Sequence, residues 1–221
     1  MNTPFGAIVS TNITPDTEQG IGQYTQEDFN RALREGKAKD GHHLYPAMPY
    51  TNFARLTDED LGALYAYFMK GVPAAKQDNA KTDLPWPFSM RWLMAGWNRI
   101  YLKGKTYEPE PAQTAEWNRG AYLVQGLGHC GACHTPRSVL GGEKAATHDK
   151  GELFLSDAII DGWYAQPLRN SEDPGLQNWS KQEIVEYLKT GRTNRTAAFG
   201  AMTEVITNST QHLSREDLGA I

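Results

Sequence analysis

The chain has 221 residues, a formal net charge of −4 and two cysteines. That length suffices for two small domains. The mild acidity and the lack of a basic stripe argue against a nucleic-acid partner, and no run of eighteen apolar residues is present to span a membrane.

Residues 1–12, MNTPFGAIVSTN, have neither the basic nor the apolar region of an export signal. The first helix signal is TQEDFNRALREG (25–36). It has a Thr cap, acids in its first turn, Phe29, Ala32 and Leu33 on one face, and a closing glycine. Met48 follows in LYPAMPY, between prolines that stiffen the loop. LTDEDLGALYAYFMKG (56–71) predicts a second helix, capped by Thr57 with Asp60 at the capping-box position. Residues 72–113 read as a connection. In it, Trp86, Met90, Leu93, Trp97 and Ile100 recur at helical spacing among Arg91, Arg99, Lys103 and Lys105. Two roles fit: a helix packing its aromatic stripe across the domains, or a docking surface for a partner subunit or a membrane interface, where Trp and Arg are favoured. TAEWNRGAYLVQG (114–126) is a helix running into glycines, and SKQEIVEYLKTG (180–191) repeats the recipe of the first helix. No alternating strand pattern stands out, so the predicted class is all-α with long loops rich in Gly, Pro and Asn.

Both cysteines lie in GHCGACHTPR (128–137), with His134 directly after Cys133. Cys-x-x-Cys-His is the attachment signature of c-type haem. Two thiols three residues apart reach the vinyl groups on one edge of a porphyrin, and the next residue falls under the iron. Three other readings stand beside it: a structural zinc site, which needs a second ligand pair; a thioredoxin-like redox pair, which prefers a βαβ context; and a chance motif with two buried thiols. A haem iron with His on one side takes a Met thioether on the other in many cytochromes c. Of the six methionines, Met69 lies on an apolar helix pattern, Met90 and Met94 lie in the aromatic stretch, and Met1 is terminal. Met48 and Met202, the latter in AAFGAMTEVI, look like ligand loops.

The chain repeats itself. Residues 9–36 align without a gap on 164–191 at an offset of 155, which sets Gly20 on Gly175, Tyr24 on Trp179 and Gly36 on Gly191. One residue of slippage sets Met48 on Met202, and LTDEDLGAL (56–64) then matches LSREDLGAI (213–221). The same mapping puts a Cys-x-x-Cys-His for the first copy about twenty residues before Met1, and the second copy stops within its last helix. The expectation is a segment of a longer protein, with an export signal in the part upstream. Its domains would be 1–71, a partial cytochrome c domain without its attachment motif; 72–113, an aromatic-rich linker; and 114–221, a cytochrome c domain with its motif.

With both copies in view, TPFGAIVSTNITPDTEQGIG, LYPAMPYTNFARLTDEDLGALYAYF, PWPFSMRW, HCGACHTPR, IDGWYAQPLRN, WSKQEIVEYLKTGR and FGAMTEVITNSTQHLSREDL make nearly the whole chain resemble the multihaem cytochrome c subunit of bacterial membrane-bound dehydrogenases, of the alcohol, gluconate and sorbitol type. The resemblance implies an all-α fold of tandem cytochrome c-like domains. The first would lack its attachment segment and the second part of its last helix. It implies haem c, one covalent in this chain and a second in the complete first domain. It implies electron transfer from a quinoprotein or flavoprotein catalytic subunit toward ubiquinone, on the periplasmic side of the cytoplasmic membrane; the substrate would be oxidised by the other subunit. By the resemblance, Cys130 and Cys133 form the thioethers, His134 and Met202 ligate the iron, and Met48 ligates the first haem of the complete protein. Arg137 pairs with a haem propionate or is an ordinary surface arginine. Pro136 braces the carbonyl that orients His134, Trp163, Tyr164 and Trp179 line the pocket, and His129 is a surface residue. Rival functions are a haem enzyme with an open distal site, peroxidase-like, and a zinc or thiol module at Cys130 and Cys133.

Overall fold

A computed structural model describes residues 2–3, 6–160, 162–169, 176 and 178–221. Met1, Pro4, Phe5, Asp161, Gln177 and residues 170–175, with Gly175 of the repeat, lie outside the described residues. The chain divides into two compact units, Met1–Tyr107 and Glu108–Ile221. Helices are the dominant regular structure of the described residues.

The first unit starts with two short paired strands, β1 (Asn2–Thr3) and β2 (Gly6–Ala7). Helix α1 (Gln26–Glu35) begins as its sequence dictates: Thr25 and Asp28 form a reciprocal capping box, and Gly36 ends it in the left-handed conformation at φ 61°. A side chain at Gly36 would strike the buried Tyr50 ring at 2.6 Å. The chain turns back so that Lys37 faces His43, passes Met48, and forms α2 (Tyr50–Phe53) and α3 (Asp58–Ala66). Thr57 caps α3 by accepting from the Asp60 amide, and the helix runs on as a π-helical turn over Tyr67–Gly71. Phe29, Tyr50, Leu56 and Leu61 are buried, and Phe29 packs against Tyr65 and Phe68.

The aromatic stretch differs from its predicted course. The helix, α4 (Leu93–Tyr101), begins only at Leu93. Pro85 and Pro87 interrupt the pattern, because proline removes a backbone donor and disfavours helix for the residue before it. Within the first unit Trp97 packs edge-on against Tyr50, and the Tyr50 hydroxyl donates to Asn98 Oδ1 at 2.7 Å. Arg91 donates to the His43 carbonyl and lies over the Tyr45 ring.

In the second unit α5 (Ala115–Tyr122) continues as a π-helical turn over Leu123–Leu127. The short α6 (Gly131–His134) follows, then a strand pair, β3 (Ala158–Ile160) antiparallel to β4 (Trp163–Ala165). Helices α7 (Lys181–Thr190), α8 (Ala201–Asn208) and α9 (Arg215–Ala220) complete the unit. Helices α5 and α9 cross at Gly120, where a Cβ would lie 1.9 Å from the Ala220 carbonyl oxygen. Beside the crossing Arg119 makes a two-pronged ion pair with Asp217 at 2.7 and 3.1 Å. That guanidinium holds the Asp217 carboxyl below the usual range.

The internal repeat reappears as repeated geometry. Helix α7 has the capping box of α1, from Ser180 and Glu183, and the same left-handed glycine, Gly191. Lys37 faces His43 as Arg192 faces Ala197. The Leu44 amide reaches the Gly36 carbonyl at 2.7 Å, as the Ala198 amide reaches that of Gly191. The one-residue slip therefore lies inside this turn. The later shift, between Met202 and Leu213, accommodates an α8 of eight residues where α2 has four. Leu61 and Leu218, equivalent in the repeat, are both buried.

The two short strand pairs leave the predicted helical class standing, with helices the dominant regular structure among the described residues. AIIDGWYA carried a signal for the second pair, Asp-Gly between apolar runs, which is a hairpin signature.

Candidate haem-attachment site

The π-helical turn after α5 delivers the chain to Cys130, whose amide donates to the Val124 carbonyl at 3.0 Å. Such turns are rare within helices and frequent at functional sites. Cys130 and Cys133 then stand on one helical turn, with no disulfide between them. Cys130 packs against the small core of Ala145, Phe154 and Leu155. Burial pushes its thiol up to about 11, so it stays protonated at neutral pH. Gly131 beside it is closely packed: a Cβ there would lie 2.7 Å from Glu143 Oε2, so the Glu143 carboxylate would have to shift.

The loop after Gly151 folds over α6. The buried Thr135 hydroxyl accepts from the Leu155 amide at 3.0 Å, and the His134 carbonyl accepts from the Asp157 amide at 3.2 Å. Leu155 holds φ 56°, a conformation that costs a non-glycine residue about 1 kcal/mol or more. Thr135→Val leaves that amide without its acceptor in a buried place. The expected cost is about 1–3 kcal/mol, measured as a lower urea midpoint; an unchanged midpoint would remove the bond from the account.

From β4 the chain reaches Gln166, and its carbonyl oxygen lies 2.7 Å from His134 Nδ1. A carbonyl only accepts, so the proton of the neutral ring sits on Nδ1 and the Nε2 lone pair is left for a metal. Burial holds this imidazole below the usual histidine range, which keeps it neutral. The sequence reading has Pro136 brace the carbonyl that orients His134; the Pro136 carbonyl itself accepts from the Lys144 amide, inside its own loop. The orienting carbonyl belongs to Gln166, directly before the fully buried Pro167, 32 residues after His134.

Met202 is the second residue of α8, not a loop residue, because Gly200 at φ 58° turns the chain into the helix just before it. Trp163 sits against Gly200, where a Cβ would be 3.0 Å from the indole, and stacks on Phe199 at 5.5 Å between ring centroids. Both aromatics stay exposed, Phe199 by 64 % and Trp163 by 50 %, with Ile159 and Tyr164 exposed on the same strand pair. Trp179 instead packs edge-on against Tyr187 of α7. Arg137 is an exposed residue, and its guanidinium donates to the carbonyls of Ala132 and Gly141, both at 2.6 Å, bracing the loop after α6. His129 is half-buried in a left-handed conformation rather than on the surface, and burial lowers its pKa. Met48 lies in the first unit, half-buried, directly before Pro49, the N-cap residue of α2.

No family model matches the chain. Among curated proteins it is 50 % identical over its whole length to the gluconate 2-dehydrogenase cytochrome c subunit of Pantoea cypripedii, covering 51 % of that protein. It is 48 % identical to the cytochrome c subunit of alcohol dehydrogenase (quinone) of Gluconobacter oxydans strain 621H, again over its whole length, covering 46 % of that protein. The diheme cytochrome c-type protein of Cereibacter sphaeroides is 36 % identical across the whole chain, which covers 71 % of it. The chain belongs to the c-type cytochromes. It spans about half the length of the first two relatives.

The site of this cytochrome chain fits a covalently held haem. Two thiols share one helical turn, the imidazole beside them keeps one nitrogen for iron, and aromatic surface remains exposed on the hairpin that leads to Gln166 and just before Met202. A zinc site fits less well. Among the described residues, no three His, Cys, Asp or Glu side chains converge in a way that could hold a metal ion. No helix of the described residues is long and apolar enough to cross a membrane.

Proposed function

We propose that this chain is an electron-transfer module that would hold haem c through Cys130 and Cys133, with His134 and Met202 as the residues that would ligate its iron. The observation that carries the reading is the His134 ring itself: Nδ1 is engaged by the Gln166 carbonyl while Nε2 is kept for iron, next to two thiols on the same helical turn. When bound, haem supplies one-electron chemistry between ferrous and ferric iron, and a Met ligand favours the ferrous form. The chain's own residues do the rest. Gln166 and Pro167 fix the imidazole. Thr135, Leu155 and Asp157 clamp the loop over α6. Trp163, Tyr164 and Phe199 shield the ring from water. Arg137 has donors left beyond its two carbonyl contacts, which suffice for one propionate.

In this reading residues 114–221 are a cytochrome c domain with one covalent haem, residues 1–71 belong to a first domain in which Met48 ligates a second, and residues 72–113 join them. Relatives named as cytochrome c subunits of gluconate and alcohol dehydrogenases support a catalytic dehydrogenase subunit as electron donor. Ubiquinone, on the periplasmic side of the cytoplasmic membrane, is the acceptor the reading assigns. Substrate specificity then resides on the partner chain.

Haem per chain tests this. Expressed behind an export signal together with haem-attachment machinery, the chain is expected to give about one covalent haem by its reduced pyridine haemochrome spectrum. The pair Cys130→Ala, Cys133→Ala is expected to give none. A colourless chain that retains zinc would overturn the reading.

A further inference from the structure

Residues 84–107 contain Arg91, Arg99, Lys103 and Lys105 and no Asp or Glu, so the stretch carries +4 while the rest of the chain carries −8. Helix α4 lies in its middle and has two different faces. Trp97 and Asn98 face the first unit, packed on Tyr50. Trp92, Ala95, Gly96, Arg99 and Ile100 recur at steps of three and four and are all exposed, and Lys103, two residues past the helix end, is exposed as well. Trp92 is 66 % exposed and Ile100 54 %, and Trp86 just upstream is 79 % exposed. The Lys103 ammonium donates to the Arg99 carbonyl, which holds it against the end of the helix.

Large apolar groups interleaved with cations, without an acid among them, match the interfacial region of a bilayer. Tryptophan rings settle at the headgroup level there, and each Lys or Arg near an anionic surface adds attraction. A protein partner fits less well. A helix of nine residues is about 14 Å long, and one face of it falls far short of the roughly 800 Å² per partner of a stable protein interface. Seating on a bilayer also needs no folding step, because α4 is already held on Tyr50.

We propose that the outward face of α4 seats on an anionic lipid bilayer, with Trp92 and Ile100 entering the headgroup layer and Arg99 and Lys103 meeting lipid phosphates. This does not depend on the haem reading. The test uses the full chain and vesicles of phosphatidylcholine alone or with one third phosphatidylglycerol, followed by co-sedimentation and tryptophan emission. The chain is expected to bind the anionic vesicles, to shift its emission to the blue, and to release as salt is added. The pair Arg99→Gln, Lys103→Gln is expected to weaken that binding roughly thirty-fold, while Arg99→Lys retains it. Circular dichroism matching the parent keeps a misfolded variant from imitating the loss. Equal partition of parent and double variant would overturn the proposal. So would sedimentation showing a dimer without vesicles that Trp92→Ser dissolves, which would make this face a contact between copies.

Discussion

Gly120→Ala is expected to lower the stability of the second unit by about 1–3 kcal/mol or more, the usual cost of forcing an extra methyl into a packed contact. Helices α5 and α9 meet backbone to backbone there. The added Cβ would lie 1.9 Å from the Ala220 carbonyl oxygen and 2.7 Å from its carbon. Neither is the end of a flexible side chain, so no rotamer change relieves the clash. The helices must move apart, which also stretches the Arg119–Asp217 pair beside the crossing. That exposed pair adds only a few tenths of a kcal/mol to the loss. Gly96→Ala in α4 is the matched control. A Cβ there meets nothing within 4 Å, so the better helix propensity of alanine is expected to raise stability by up to about 1 kcal/mol. Thermal melts of the two variants should move in opposite directions. A Gly120→Ala melt that follows Gly96→Ala upward would mean that the α5–α9 crossing is looser than described.

Met202→Ala, in the haem-loaded chain, is expected to remove the long-wavelength sulfur-to-iron band of the ferric form. It is also expected to lower the reduction potential, on the order of 100 mV, a fraction of the roughly 0.8 V that axial ligands can span. The reason is the thioether's preference for ferrous iron, lost with the side chain. The position of Met202 is set by Gly200 and by the Trp163 ring packed against it, so the sulfur is delivered by a fixed turn. Met48→Ala is the companion variant. Because Met48 lies in the other unit, neither band nor potential should change for the haem at Cys130 and Cys133. An unchanged band in Met202→Ala would exclude Met202 as the ligand, and a band lost in Met48→Ala would reassign it.

Local signals in the chain carry a large part of the architecture. Thr25 and Ser180 start their helices where a capping box predicts, and Gly36 and Gly191 end them, because caps and left-handed glycines depend on neighbours a few residues away. The internal repeat survives as equal turns in both units, since two copies of one pattern answer the same local physics. Cys130, Cys133 and His134 share one helical turn for the same reason: their spacing is short and covalently fixed.

What sequence alone determined about this protein is therefore its helices, its repeat and its Cys-x-x-Cys-His motif. The tertiary structure alone decided how the motif is held. The group that orients His134 is a backbone carbonyl, at Gln166, and backbone atoms are the same in every residue, so no side-chain pattern announces them. Pro136 lies nearby in sequence, but its own carbonyl accepts from the Lys144 amide inside the loop. The β3–β4 hairpin that brings Gln166 to the imidazole is three residues per strand, too short for alternation to register. Likewise the separation of α4 into a face packed on Tyr50 and an exposed face with Trp92, Arg99 and Ile100 depends on where Tyr50 stands. Contacts between residues tens of positions apart are set by packing of whole elements, and that is a property of the folded chain rather than of any window within it.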